Sequence, residues 1–158
     1  CRLNKLCSKS SEYFGKLYLC TMSLPKKIKQ YKIANEEFLA AKAAEQGVKV
    51  LDNGVILKQL EQGSGSVHPS PKSVVFVRYT GRLINGKVFD SNADAPLPAC
   101  FILGQLIMGW QIALTRMVAG DRYEVTIPAQ YGYGSRPAGD IPAYSTLVFE
   151  IQLIKTEG

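Results

Sequence analysis

The sequence is poor in the groups that carry most enzymatic chemistry. One histidine, His68, serves all 158 residues, and it stands in a Gly/Ser/Pro-rich stretch, GSGSVHPSP. Catalysis of the Ser-His or Cys-His kind therefore has a single candidate base, in a segment that reads as solvated loop. Of the four cysteines, Cys1, Cys7 and Cys20 lie near the start and only Cys100 lies beyond. The body of the chain has no disulfide of its own to form, and no Cys/His spacing matches a zinc site. Cys100 is expected to be packed rather than reactive, because free cysteine is among the most buried residue types. No glycine-rich phosphate loop opens a helix, no G-x-S-x-G occurs, and no carboxylate pair has an obvious partner. Long apolar runs are missing too. Residues 13 to 20 are fairly apolar, but Lys16 interrupts them, well short of the roughly eighteen apolar residues of a membrane span.

What is present is ordinary for a globular domain: 46% hydrophobic and 20% charged residues, enough for one core and too short for two large ones. The net charge of +6 is unevenly placed, since residues 1–34 hold eight Lys or Arg against one acid. The remainder is nearly neutral, so the basic character belongs to an N-terminal arm, 1–27, expected to be poorly ordered; such an arm can dock to an anionic membrane or nucleic acid but is more often a solvated tail, and no nucleic-acid partner is expected. Three origins of that arm stay open: a leader, a lipoprotein start at Cys1, or a prelude to a true start at Met22.

A helix is expected from Ile28 to Gln46, with Tyr31, Ala34, Phe38, Ala41 and Glu45 on one narrow stripe and Gly47 as its stop. The periodicity then changes from 3.6 to 2. Val48–Leu51 and Val55–Leu60 read as strands about Asp52-Asn53-Gly54. Val74–Asn92 reads as a hairpin about Asn85-Gly86, both turn residues being expected at positive φ. That hairpin makes Tyr79, Phe89 and Asp90 neighbours, either as core beside a surface acid or as one wall of an apolar pocket. Cys100–Leu103 and Arg122–Ile127 are further strands, and Leu106–Leu114 is a short helix. Pro128–Ala143, punctuated by Gly132, Gly134, Pro137, Gly139 and Pro142, is a long irregular connection, of a length that is either functional or disordered. Ser145–Lys155 alternates as a closing strand. About six strands to two helices indicate an α+β domain, an antiparallel sheet packed on one helix.

Taken in order, Val77-Arg78-Tyr79-Thr80-Gly81, Gly86-Lys87-Val88-Phe89-Asp90-Ser91, Leu106-Ile107-Met108-Gly109-Trp110, Tyr131-Gly132-Tyr133-Gly134, Ile141-Pro142 and Thr146-Leu147-Val148-Phe149-Glu150 resemble the FKBP-type peptidyl-prolyl isomerases in sequence and spacing. The resemblance runs from about Gly54 to Lys155. Upstream, Asn35-Glu36-Glu37-Phe38-Leu39 followed by Gly47 is similar to the bacterial branch that includes the macrophage infectivity potentiator.

The resemblance implies a strongly twisted antiparallel sheet of five to six strands wrapped around one short helix, residues 48–158, with a helical extension at 28–47. It implies isomerisation of X-Pro bonds in unfolded or partly folded chains, without cofactor or metal; the rival is a chaperone-like binding module with weak or no turnover. Trp110 would form the pocket floor, with Tyr79, Phe89, Phe149, Leu106 and Ile107 as walls. Tyr133 and Ile141 would reach in from the long connection, and Asp90 would be a polar contact. Ala99 falls where relatives carry an aromatic wall residue, Met108 precedes Gly109 where Pro or Arg is usual, and Asp140 adds a charge at the rim. Implied partners are proline-containing polypeptides and macrolides of the tacrolimus/rapamycin type, with a homodimer through the N-terminal helix; since that region is short, a monomer or weak dimer is expected. Implied locations are the bacterial envelope or periplasm, or the cytoplasm if Met22 is the start.

Overall fold

The structure, a computed structural model, describes residues 24–158. The basic arm, Cys1, Cys7, Cys20 and Met22 lie outside the described residues, apart from the arm's last few. Helix α1 (Lys26–Ala43) is followed by β1 (Val48–Val50), β2 (Ile56–Glu61), β3 (Val74–Arg82), β4 (Val88–Ser91) and β5 (Ala99–Ile102). A 3₁₀ turn (Leu103–Gln105), helix α2 (Met108–Leu114), β6 (Arg122–Ile127), a second 3₁₀ turn (Ala129–Tyr131) and β7 (Leu147–Glu157) complete the chain. The strands form one antiparallel sheet of seven, in the order β1-β2-β6-β7-β3-β4, with β5 also on β3. This is the expected α+β architecture, with seven strands against about six.

Period-two alternation decides which face is buried. Val75 and Val77 of β3, Val125 and Ile127 of β6, and Leu147, Phe149, Ile151 and Leu153 of β7 all point to one side, where Ala113, Leu114 and Met117 from α2 and its exit close the core. The same alternation turns Cys100 outward between Ala99 and Phe101, so the expectation that it is packed fails: its thiol is exposed. A two-residue period leaves no choice once its neighbours face in.

Both Asn-Gly hairpins form, but by a different turn from the one expected. Gly54 and Gly86 have φ of +88° and +86°, whereas Asn53 and Asn85 do not adopt positive φ. Each turn is a three-residue loop, closed by Gly54 N–H to Leu51 O and by Gly86 N–H to Leu83 O, 2.8 and 2.9 Å. The Asn side chains accept the amides of Val55 and Lys87. That local bond substitutes for the second left-handed residue.

Strand β3 is the hub. It pairs with β7 along its whole length, and on its other edge with β5 through Val74–Val77 and then with β4 through Thr80–Arg82. Where those two partners diverge, Asn92 fills the gap in the ladder. Its Oδ1 accepts from Tyr79 N–H at 2.7 Å, its Nδ2 donates to Val77 O at 2.9 Å, and its own N–H donates to Tyr79 O.

Helix α1 ends at Ala43, three residues before the expected last residue Gln46, and Gly47 (φ +77°) turns the chain into β1. Its face is rotated from the expected stripe. Ala34, Ala41 and Glu45 are exposed, and Asn35 is the helix's buried residue. Docking rests on polar contacts, with Asn35 against Thr146 and Lys42 against Glu124 at 2.9 Å, and these outweigh a thin alanine stripe with little area to bury. Replacing Asn92 with Ala strands Tyr79 N–H and Val77 O in a part-buried setting. The expected cost is about 1–3 kcal/mol in urea unfolding, against less than about 0.5 kcal/mol for the nearby exposed Asp94→Ala.

Candidate functional site

At one end of the sheet the aliphatic rows give way to rings. Tyr79 and Gly81 continue the inward face of β3 beyond Val75 and Val77, and Gly81 lies opposite Phe149 on β7. The missing side chain is needed there: a Cβ on Gly81 would come within 2.6 Å of the Phe89 ring and 2.7 Å of the Phe149 ring. A shift of register between Gly81 and Arg82 re-aims Phe89 toward that space.

Trp110, 5% exposed on the first turn of α2, lies at the centre. Three rings meet it edge-on: Tyr79 at 5.1 Å between centroids, Phe149 at 5.3 Å and Phe101 at 6.2 Å. Phe89 in turn packs edge-on against Phe149 at 5.5 Å. Edge-to-face contact sets the positive rim of one ring against the negative face of another and holds the rings at fixed angles. The outcome is a concavity of about 220 Å³ lined by Tyr79, Phe89, Asp90, Phe101, Leu106, Ile107, Trp110, Tyr133 and Phe149. Three larger concavities, of about 450, 530 and 230 Å³, each carry a single tyrosine and gather no cluster of rings.

Two hydrogen-bond donors reach this space uncommitted among the described residues. The turn before α2 is pinned by the Gln111 amide, which donates to Leu106 O at 2.9 Å, while the Ile107 N–H has no acceptor. The half-exposed Tyr133 brings a hydroxyl without a partner. Asp90, on the exposed rim, accepts from the Tyr79 hydroxyl at 2.8 Å. Burial raises the Tyr79 pKa, and the Asp90 carboxylate raises it further, to about 12. The phenol therefore stays protonated and directed at Asp90, fixing one wall.

Eight of the ten residues singled out from the sequence line this one concavity. Ile141 and Ala99 do not: Ile141 is 6% exposed within the core, and Ala99 packs half-buried against it. Ile141 is drawn in by its bridge to Ala138, with both N–H to C=O bonds at 2.9 Å. The wall that Ala99 leaves open is supplied two residues later by Phe101. The signal for it was the alternation of β5, in which Ala99, Phe101 and Leu103 share a face. Met108 and Asp140 are exposed at the periphery.

An antiparallel sheet packed on one helix, with an aromatic-walled concavity and two donors uncommitted among the described residues beside it, defines a small α+β domain with one apolar, hydrogen-bonding cleft. The chain belongs to the family of FKBP-type peptidyl-prolyl cis-trans isomerases, whose pattern it matches over residues 65–154. It is 42% identical over 120 residues to the FKBP-type 22 kDa peptidyl-prolyl cis-trans isomerase of Escherichia coli, covering 75% of this chain and 58% of that protein. It is 41% identical over 133 residues to the outer membrane protein MIP of Legionella longbeachae, covering 84% and 57% respectively. The chain thus spans little more than half the length of these curated relatives. A crystal structure of a peptidyl-prolyl cis-trans isomerase from Pseudomonas syringae pv. tomato superposes with a TM-score of 0.76 at 36% identity, over 86% of this chain and 98% of that one. No helix among the described residues is long and apolar enough to cross a membrane.

Two outcomes test this geometry. Gly81→Ala is expected to displace the Phe89 and Phe149 rings and so change the emission of Trp110, the sole tryptophan, while far-UV circular dichroism stays the same. Because the folded-state pKa of Tyr79 is raised from 10.0 to about 12, the stability it contributes is complete below pH 10 and is lost as pH rises toward 12. The difference in urea midpoint between wild type and Tyr79→Phe should be flat below pH 10 and shrink above it.

Proposed function

We propose that the chain accelerates cis-trans rotation about X-Pro bonds in unfolded or partly folded polypeptides, through the cleft over Trp110, with residues 48–158 as the acting unit. The observation that carries this reading is the convergence of a Trp110 floor and four aromatic walls with two uncommitted donors, Ile107 N–H and the Tyr133 hydroxyl. Rotation about a peptide bond meets a barrier of about 18–20 kcal/mol, because the nitrogen lone pair is delocalised into the carbonyl. The two forms of an X-Pro bond differ by only about 0.5–1 kcal/mol, yet exchange over tens to hundreds of seconds. No covalent bond is made or broken. The chemistry therefore calls for no nucleophile, metal or cofactor, only tighter binding of the twisted amide than of either planar form.

Each part of the cleft has a role in that preference. The planar amide is the more polar species, so an apolar cleft that strips its water penalises the ground state more than the twisted one. The proline ring rests on Trp110 between Tyr79, Phe89, Phe101 and Phe149, and Leu106 and Ile107 shape the entrance. Ile107 N–H and Tyr133 O–H donate to carbonyls flanking the bond, and a donor placed for the rotated carbonyl stabilises it selectively. Asp90 orients Tyr79 and adds a negative field; no proton is transferred. Ile141 and Ala99 support the walls from behind.

The wider activity follows the same family. We assign it proline-containing polypeptides as partners and macrolides of the tacrolimus/rapamycin type as competing ligands of the cleft. The bacterial envelope is the compartment proposed, by likeness to the outer-membrane relative. With α1 docked on its own domain through polar contacts, the assembly expected of this chain is a monomer or weak dimer.

With a proline-containing tetrapeptide followed by exchange spectroscopy, micromolar protein is expected to speed isomerisation. Tyr133→Phe, which removes one hydrogen bond of about 1 kcal/mol, is expected to lower the rate roughly fivefold, and Asp90→Val to lower it as well. Absence of acceleration, with aggregation of an unfolded client still suppressed, would replace the enzyme with a chaperone-like binding module.

A further inference from the structure

We propose that Asn35, on α1, is a positioning residue for the cleft, acting on Tyr133 through the segment Tyr144–Thr146; this rests on the isomerase reading above. The helix lies outside the domain that carries the cleft, but its buried residue is spent on one loop. Asn35 Oδ1 accepts from Thr146 N–H at 2.8 Å, while Asn35 Nδ2 donates to Tyr31 O at 2.8 Å, so the amide is locked in one orientation. The Thr146 hydroxyl reaches Asn35 O at 3.4 Å. Alongside, Ser145 gives its only hydroxyl proton to Pro142 O at 2.7 Å, so the Tyr31 hydroxyl is the donor in the 2.8 Å contact between them. Lys32 Nζ sits 5.2 Å from the Tyr144 ring centroid.

The clamped segment is unusual. Tyr144 has φ +65°, the one positive value at a non-glycine residue among the described residues, a backbone state that persists only where surroundings hold it. Held there, Tyr144 N–H donates to Gly134 O at 2.9 Å, and Gly134 N–H donates to Ala129 O at 2.8 Å. Gly134 follows Tyr133 directly. Three α1 side chains therefore hold Tyr144–Thr146, Tyr144 holds Gly134, and Gly134 sets where the unattached Tyr133 side chain enters the cleft. Apolar packing does not do this work: a crevice of about 450 Å³ separates Glu36 and Leu39 of the helix from Gln130 and Ser135 of the loop. Loss of a few hydrogen bonds would let the loop relax without opening the core.

The test is a double-mutant cycle on the full chain, with amide hydrogen exchange as a second readout. Asn35→Ala is expected to lower kcat/KM about fivefold, mainly through kcat. In the Tyr133→Phe background the same change should cost less than about 1.5-fold, because the hydroxyl it positions is gone. Tyr31→Phe, a milder change, should act in the same way at about twofold. In Asn35→Ala the Tyr144 amide should lose protection at least tenfold, while Val125 and Ile151 amides in the sheet stay within twofold of wild type. Equal loss in both backgrounds marks a merely structural role and overturns the proposal, as does unaltered exchange at Tyr144. If wild type itself fails to accelerate the tetrapeptide, the isomerase reading falls instead; the coupling then stands or falls on Tyr144 exchange and on movement of the Tyr133 ring resonances. Should Asn35→Ala not fold, Tyr31→Phe carries the cycle alone.

Discussion

One strand edge that must serve two partners governs this molecule. Strand β3 is committed to β7 along one side, so its other side is shared by β5 and β4, and the ladder parts near Tyr79. An unpaired amide and carbonyl at such a fork would cost as much as lost hydrogen bonds. Asn92 meets that demand with a side chain that mimics a neighbouring strand. The fork is also what makes a cleft: with β4 and β5 splayed, the inward face of β3 at Tyr79 and Gly81 is left without a continuous layer of aliphatic neighbours, and rings fill the margin.

Those rings perform two tasks. They extend the core, since Trp110 and Phe149 are buried, and they wall the cleft, since Tyr79, Phe89 and Phe101 are only part-buried. Edge-on contacts in several directions hold a space open that aliphatic side chains, free to choose rotamers, would collapse into. Preorganisation of this kind suits the proposed reaction, in which nothing reactive is required and the shape and polarity of the site must themselves discriminate between planar and twisted amides. The scarcity of histidine and of catalytic carboxylates agrees with that chemistry. Tyr79 and Asp90, hydrogen-bonded at the cleft, serve to orient a wall.

Much of the fold could be read from alternation and turn residues, and the misreadings have specific causes. The Asn-Gly hairpins were legible as hairpins but not in turn type, because an asparagine side chain can close the loop locally and relieve its own backbone of positive φ. Counting apolar residues puts the α1 stripe on the wrong face, because the face that docks is set by a polar bond from Asn35 to a backbone amide 111 positions away. Residue type points to a packed Cys100, whereas its parity in β5 turns the thiol outward. The family resemblance puts Ile141 and Ala99 at the cleft, whereas Ile141 packs in the core and Ala99 against it, and Phe101, two residues from Ala99, lines the cleft.

The sequence by itself determined the strand faces, the two hairpins, the family and eight residues of the cleft, because each follows from local periodicity or from motifs whose spacing is carried along the chain. Tertiary structure alone decided how β3 divides its edge, which donors remain free at Ile107 and Tyr133, and that α1 grips the loop behind Tyr133. Those depend on contacts between residues far apart in the chain, where a single hydrogen bond or ring angle selects among arrangements that local pattern leaves equivalent.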